Sequence, residues 1–153
     1  MLFQDMREEG SPSFFNPEEI FHVLEYMKQL IDHGIDEDDI GVITPYRRQV
    51  QKLKRRLEDR GWGDVTVGTT EEFQGQERKV IIVSTVRSNP EFVNLDLKHR
   101  LGFLADAKRF NVAITRAQAL LIVIGNPHIL CQVRREHDAK MKLQNSVSVS
   151  YFP

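Results

Sequence analysis

The chain has 153 residues, 41% of them hydrophobic and 28% charged, with a formal net charge of −1. That length and balance describe one globular domain with a real core, and a second core is not expected. Cys131 is the single cysteine, which excludes an internal disulfide and a cysteine-based zinc site, and no apolar run approaches the ~18 residues of a membrane span.

The first ten residues lack the basic-then-apolar order of a secretory leader, so none is expected. The near-neutral charge conceals an uneven distribution. Residues 1–40 hold eleven acids against Arg7 and Lys28, whereas residues 47–60 hold seven bases against Glu58 and Asp59. The basic segment is either a solvated helix face or a local patch for phosphate, and charge alone favours the former.

In chain order, Glu9 to Phe14 reads as a loop from its Gly, Ser and Pro content. Asn16-Pro17-Glu18-Glu19 is a helix start: Asn16 as cap, Pro17 at the first helical position, and Glu19 placed to complete a capping box. Ile20, Val23, Leu24, Met27, Leu30 and Ile31 recur at helical spacing until His33-Gly34. After an acidic turn at Asp36 to Asp39, Ile40 to Thr44 is a short buried strand closed by Pro45. Arg48 to Arg60 is a second helix with Val50, Leu53 and Leu57 inward, and Gly61 stops it. Val65 to Gly68, Lys79 to Thr85 and Leu120 to Gly125 are further strands, with a helix from Asp106 or Lys108 to about Gln118. Residues 131–145 allow a short polar helix. Ser146 to Pro153 allows an edge strand, a partner-binding strand or a tail, and the tail is preferred.

Strands apolar on both faces and separated by helices predict an α/β fold with a parallel sheet covered by helices on both sides. Ligands of such sheets sit at the carboxyl ends of the strands, so the functional side chains are expected to gather along one rim, in the loops after Thr44, Gly68, Thr85 and Gly125.

Three motifs stand out. In Thr44-Pro45-Tyr46-Arg47-Arg48-Gln49, Tyr46 is able to stack on a base and Arg47 to reach a phosphate, although a capped turn with solvated arginines fits equally. In GTTEEFQGQE (68–77), Thr69 and Thr70 offer hydroxyls, Gly75 permits close backbone approach, Glu77 suits a ribose hydroxyl, and Phe73 is assigned to the core. In KRFNVAITRA (108–117), Lys108, Arg109 and Arg116 lie near one face if the segment is helical, and Arg116 is a candidate to neutralise charge on a transferred phosphoryl group. Those bases are otherwise a coat on a helix whose apolar face is Phe110, Val112 and Ile114. No phosphate loop is present, no apolar strand ends in an Asp-Glu pair, and the five histidines are scattered without metal-ligand spacing. A complete hydrolytic site is not readable.

ITPYRRQ, then TTEEFQGQE with VIIVSTVRSN, then LGFLADAKRFNVAITRAQALLIVIGNP stand in an order and wording that resemble the second motor domain of the superfamily 1 RNA helicases of RNA surveillance and silencing. Within that group the likeness is to the Armitage-like subgroup, over roughly residues 12–130. The resemblance implies a RecA-like fold of the P-loop NTPase type over residues 1–130, with 131–153 as a polar helix or flexible tail. It implies a 5′-to-3′ motor that uses ATP with Mg2+ and binds single-stranded RNA. A first RecA-like domain outside this sequence would carry the phosphate loop and the magnesium ligands.

By the same resemblance Tyr46 packs on adenine, Gln49 supports that loop beside the nucleotide, Gly75 and Glu77 approach ribose and phosphates, and Arg116 is the arginine finger. Arg47 corresponds to a phosphate contact, Lys108 and Arg109 to a basic pair, and Thr69, Arg87 and Asn89 to the RNA-contacting positions. Thr70 departs from the family's commoner valine and is grouped with them as a nucleic-acid-binding candidate by its place beside Thr69. The expected setting is the cytoplasm, in ribonucleoprotein granules, with silencing-pathway proteins as partners, no membrane and no obligate homo-oligomer. The fragment alone is expected to be inactive. A competing assignment is a binding module that keeps the motor fold as a scaffold for RNA or protein.

Overall fold

Ile40–Ile43 and residues 80–84 and 121–124 are buried on both faces of the main sheet, and the chain achieves this by covering both. The computed structural model describes residues 6–7, 13–87, 103, 106–127, 130–131 and 149–150. In chain order the elements are β1 (Met6–Arg7), β2 (Phe14–Phe15), α1 (Pro17–Asp32), β3 (Ile40–Ile43), α2 (Arg47–Glu58), β4 (Thr66–Gly68), β5 (Arg78–Ser84), α3 (Ala107–Ile114), β6 (Ala117–Ile124) and β7 (Val149–Ser150). A short 3-10 turn, Glu37–Asp39, precedes β3.

The sheet has the order β4-β3-β5-β6-β7, all parallel. Side-chain alternation divides the core in two. On one face Val80, Ile82, Ile122 and Ile124 meet α1 through Val23 and Met27 and α2 through Leu53 and Leu57. On the other, Ile81, Val83, Leu121 and Val123 meet Phe73, Phe103 and Ala113 of α3. This is the parallel sheet flanked by helices that the sequence predicts, in the RecA-like manner. None of the described helices is long and apolar enough to cross a membrane.

The strand β4 is followed not by a helix but by a turn that crosses over β3 to reach β5. Phe73, fully buried, wedges this crossover against the sheet. The close approach requires glycine beneath it, because a Cβ on Gly41 would lie 2.8 Å from both the Phe73 ring and the Ile81 side chain.

Several expectations change. Asn16 does cap α1, its Oδ1 accepting from the Glu18 and Glu19 N–H groups at 3.1 Å. Glu19 does not close a capping box, because the Asn16 N–H donates to Gln49 Oε1 instead. The predicted loop at 9–14 contributes Phe14 to a two-stranded ribbon with Met6–Arg7. The third helix ends at Ile114, and β6 begins at Ala117, three residues before the predicted strand. Ala117, Gln118 and Ala119 favour helix locally, but Ala117 pairs with Arg78, and sheet pairing overrides propensity. At the end of the chain Val149–Ser150 adds an edge strand beside Leu121 and Ile122. The polar helix expected for 131–145 lies almost wholly outside the described residues.

Candidate functional site

The strand register sorts the candidate residues onto two opposite rims, which corrects the expectation of one shared rim. Parallel strands put every amino end on one side. Residues just before β5 and β6 therefore face away from residues just after β3, β4 and β5. Along β5 the two rims are roughly 20 Å apart.

At the amino rim stand Glu77, immediately before β5, and Arg116, immediately before β6. They are neighbours because the Arg78 N–H donates to the Arg116 carbonyl at 3.1 Å. Glu77 is exposed, and its carboxylate accepts from Gln118 Nε2 at 3.4 Å. Arg116 is half-buried at the carboxyl end of α3, where unpaired carbonyls attract a cation. Its Nε donates to the Val112 carbonyl at 3.1 Å and its Nη2 to Thr115 Oγ1 at 3.1 Å. A guanidinium has five donor hydrogens in a planar fork, so donors remain for an anion arriving at this rim. Gly75 lies on the approach, with φ +76 and open space where a Cβ would stand. Substitution there is strained by the backbone alone. A hydroxyl-seeking carboxylate, an arginine fork and an accessible backbone together suit one edge of a nucleotide.

At the carboxyl rim stand Tyr46, Arg47, Thr69, Thr70 and Arg87. Tyr46 is half-buried, edge-on to Phe14 with centroids 5.9 Å apart, and Arg47 is exposed at the start of α2. Thr69 is where the capping-box pattern occurs: its N–H donates to Glu72 Oε2 at 2.6 Å and its Oγ1 accepts from the Glu72 N–H at 3.4 Å. The Thr70 hydroxyl is buried without a hydrogen-bond partner among the described residues, as are those of Thr44 and Thr85 on the same rim. Asn89 lies outside the described residues.

Lys108 and Arg109 belong to the first turn of α3, capped by Asp106. They do not share a helix face with Arg116, which falls beyond the helix end. Arg109 Nε lies 2.7 Å from Glu71 Oε1. Partial burial pushes the Glu71 carboxyl up, but its own backbone N–H, the Arg109 guanidinium and the Thr69 hydroxyl outweigh this and hold it below the usual carboxylate range. Lys108 is exposed.

Gln49 is fully buried. Its Oε1 accepts from the Asn16 N–H at 2.9 Å and its Nε2 donates to Ser84 Oγ at 3.0 Å. Both ends of the amide are engaged inside the protein, so the side chain braces the start of α1 against the end of β5. The group beside it is not legible in the sequence. Glu19, also fully buried, accepts at Oε2 from the Ser84 hydroxyl at 2.6 Å and from the Val86 N–H at 2.8 Å. Its one local trace is a glutamate at a core position of an amphipathic helix. Among the described residues no three His, Cys, Asp or Glu side chains converge as a metal-binding group.

The parallel sheet flanked by helices defines a domain of the RecA-like P-loop NTPase fold class. The chain belongs to the AAA domain family, whose sequence profile matches residues 3–128. It is homologous to superfamily 1 helicases of the Mov10 and Armitage group. A protein named putative helicase mov-10-B.1 from Danio rerio is 51% identical over 83% of this chain and 14% of its own length. RNA helicase Mov10l1 of Homo sapiens is 54% identical over 82% of this chain and 11% of its own. Probable RNA helicase armi of Drosophila melanogaster is 42% identical over 85% and 11%. The chain thus spans between a tenth and a seventh of the length of these relatives.

Proposed function

We propose that this chain is the second RecA-like domain of an ATP-dependent RNA helicase that moves 5′ to 3′ and serves small-RNA silencing. The observation that carries this is the pairing of Glu77 with Arg116 on one rim, remote from the hydroxyl and aromatic residues of the other. A motor domain needs two such edges, one toward nucleotide and one toward RNA.

On the amino rim Glu77 would accept from ribose hydroxyls, Gly75 would let the backbone close in, and Arg116 would donate to the terminal phosphate. A first RecA-like domain, from another part of the protein, would supply the phosphate loop and the carboxylates for Mg2+. Arg116 then completes the charge clamp only when the two domains close. Lys108 and Arg109 add positive charge near the crossover at Glu71. On the carboxyl rim Tyr46, Arg47 and Thr69 would meet single-stranded RNA, held mainly through its phosphates, with the buried Thr70 and Arg87 behind them. The distance between the rims favours RNA over adenine and phosphate as the ligand of Tyr46 and Arg47. Gln49 acts from within as a brace. By the likeness to its relatives we assign the protein to the cytoplasm, among ribonucleoprotein granules and silencing proteins.

Arg116→Ala in the full-length protein tests the reading. RNA-stimulated ATP turnover falls by roughly a thousand-fold or more, the scale of an arginine finger, while RNA affinity without nucleotide is unchanged. The isolated chain with saturating single-stranded RNA turns over almost no ATP. Undiminished turnover in the variant would leave a scaffold for RNA or protein as the function.

A further inference from the structure

The carboxyl rim contains a strained turn just before Arg87. Val86 has φ +67, the left-handed region that a β-branched side chain avoids. The Arg87 N–H donates to the Thr85 carbonyl at 2.7 Å across it, closing a three-residue turn of the rarer, strained hand. Strain of this kind persists only where the surroundings over-determine it. Here they do: the Val86 N–H donates to Glu19 Oε2 and the Val86 carbonyl accepts from Asn16 Nδ2 at 3.2 Å. Both partners are fully buried.

The turn delivers Arg87. Its guanidinium lies over the Phe14 ring, 4.2 Å from the centroid, and Phe14 in turn meets Tyr46 edge-on at an interplanar angle of 73°. Arg87 is 8% exposed, while both rings are half-exposed. The order of support therefore runs outward, from a buried carboxyl through a strained turn and a cation to a pair of aromatic faces. Aromatic faces on a rim that also carries hydroxyls and cations suit the bases of a single strand, since every base has a face to stack. They suit a polyphosphate or an acidic peptide less well.

We propose that Phe14 and Tyr46 form a stacking step for a base of single-stranded RNA, and that Glu19 positions this step by holding the turn at Val86. The proposal rests on the assignment of the carboxyl rim to RNA. Glutamine cannot replace Glu19 cleanly. If its oxygen keeps Ser84 and Val86, its NH2 confronts the Asn16 NH2 that now donates to Oε1 at 3.5 Å.

The test is binding of a fluorescent single-stranded oligoribonucleotide to the full-length protein, titrated at several salt concentrations, with the thermal midpoint of each variant recorded. Phe14→Leu is expected to weaken binding roughly ten-fold, within what one stacked base contributes, with the salt slope unchanged because no phosphate contact is lost. Glu19→Gln is expected to weaken it similarly. Adding Val86→Gly to Glu19→Gln restores affinity, because glycine adopts the turn unaided, whereas a merely structural Glu19 would see no recovery. Unchanged affinity in Phe14→Leu, or no rescue by Val86→Gly in a folded Glu19→Gln protein, overturns the proposal. If Glu19→Gln does not fold, Phe14→Leu decides alone. A wild-type protein that binds no single-stranded RNA would overturn the assignment of the rim itself, a different failure from a wild type that binds with Phe14 indifferent.

Discussion

Gly41 shows how a single atom controls the route of the chain. Phe73 reaches the core only because β3 has no side chain at that point, and both would-be neighbours of a new methyl group are fully buried. Gly41→Ala should lower the unfolding free energy by about 1–3 kcal/mol, the usual cost of overpacking, measured by urea denaturation. The crossover carrying Glu77 depends on this wedge, so the variant should also loosen nucleotide binding in the full-length protein. Arg116 differs in that it already has a structural role beside the one proposed for it. At rest it satisfies carbonyls at the end of α3, a structural role that any helix-terminal arginine fills. Its position next to Glu77, not its type, is what favours the proposed finger over a cap alone.

At the scale of elements, the start of α1 does more than begin a helix. Asn16 caps two N–H groups of α1, donates through its backbone to Gln49 of α2, and donates through its amide to Val86 after β5. Three elements are tied at one residue. Asn16→Ala should therefore cost about 2–4 kcal/mol, combining a lost cap of about 1 kcal/mol with a buried carbonyl left unpaired. Asn16→Ser keeps a cap acceptor and should recover about 1 kcal/mol of that loss, as read by chemical unfolding. The element most altered by tertiary context is β6, whose first three residues carry helix-favouring side chains yet extend the sheet to pair with β5.

For the whole molecule, the separation of the rims predicts that the two proposed ligand edges act independently. In the full-length protein Glu77→Gln should weaken binding of a non-hydrolysable ATP analogue several-fold and leave nucleotide-free RNA affinity alone. Thr69→Ala should do the reverse, with both affinities measured by fluorescence titration. Substitutions so far apart are expected to add rather than couple. A Thr69 variant that weakens nucleotide as much as RNA in the absence of the other ligand would contradict the two-edge geometry.

The amino-acid order by itself determined the existence of the four central strands β3 to β6, of the three helices and of the layered α/β plan, because apolar periodicity and capping residues are local signals. Ile40 to Ile43 is too short and too branched for anything but a buried strand, and Asn16-Pro17 announces α1 without help. The order also marked Glu77 and Arg116 as candidates for the site. Whether a residue precedes or follows its strand is visible in the order; only the tertiary structure decided that the strands pair all-parallel in the order β4-β3-β5-β6-β7, and so which rim each candidate joins. It alone turned Gln49 and Glu19 inward, because hydrogen bonds among Asn16, Ser84 and Val86 join residues as much as 70 positions apart. No local pattern encodes a partner at that distance.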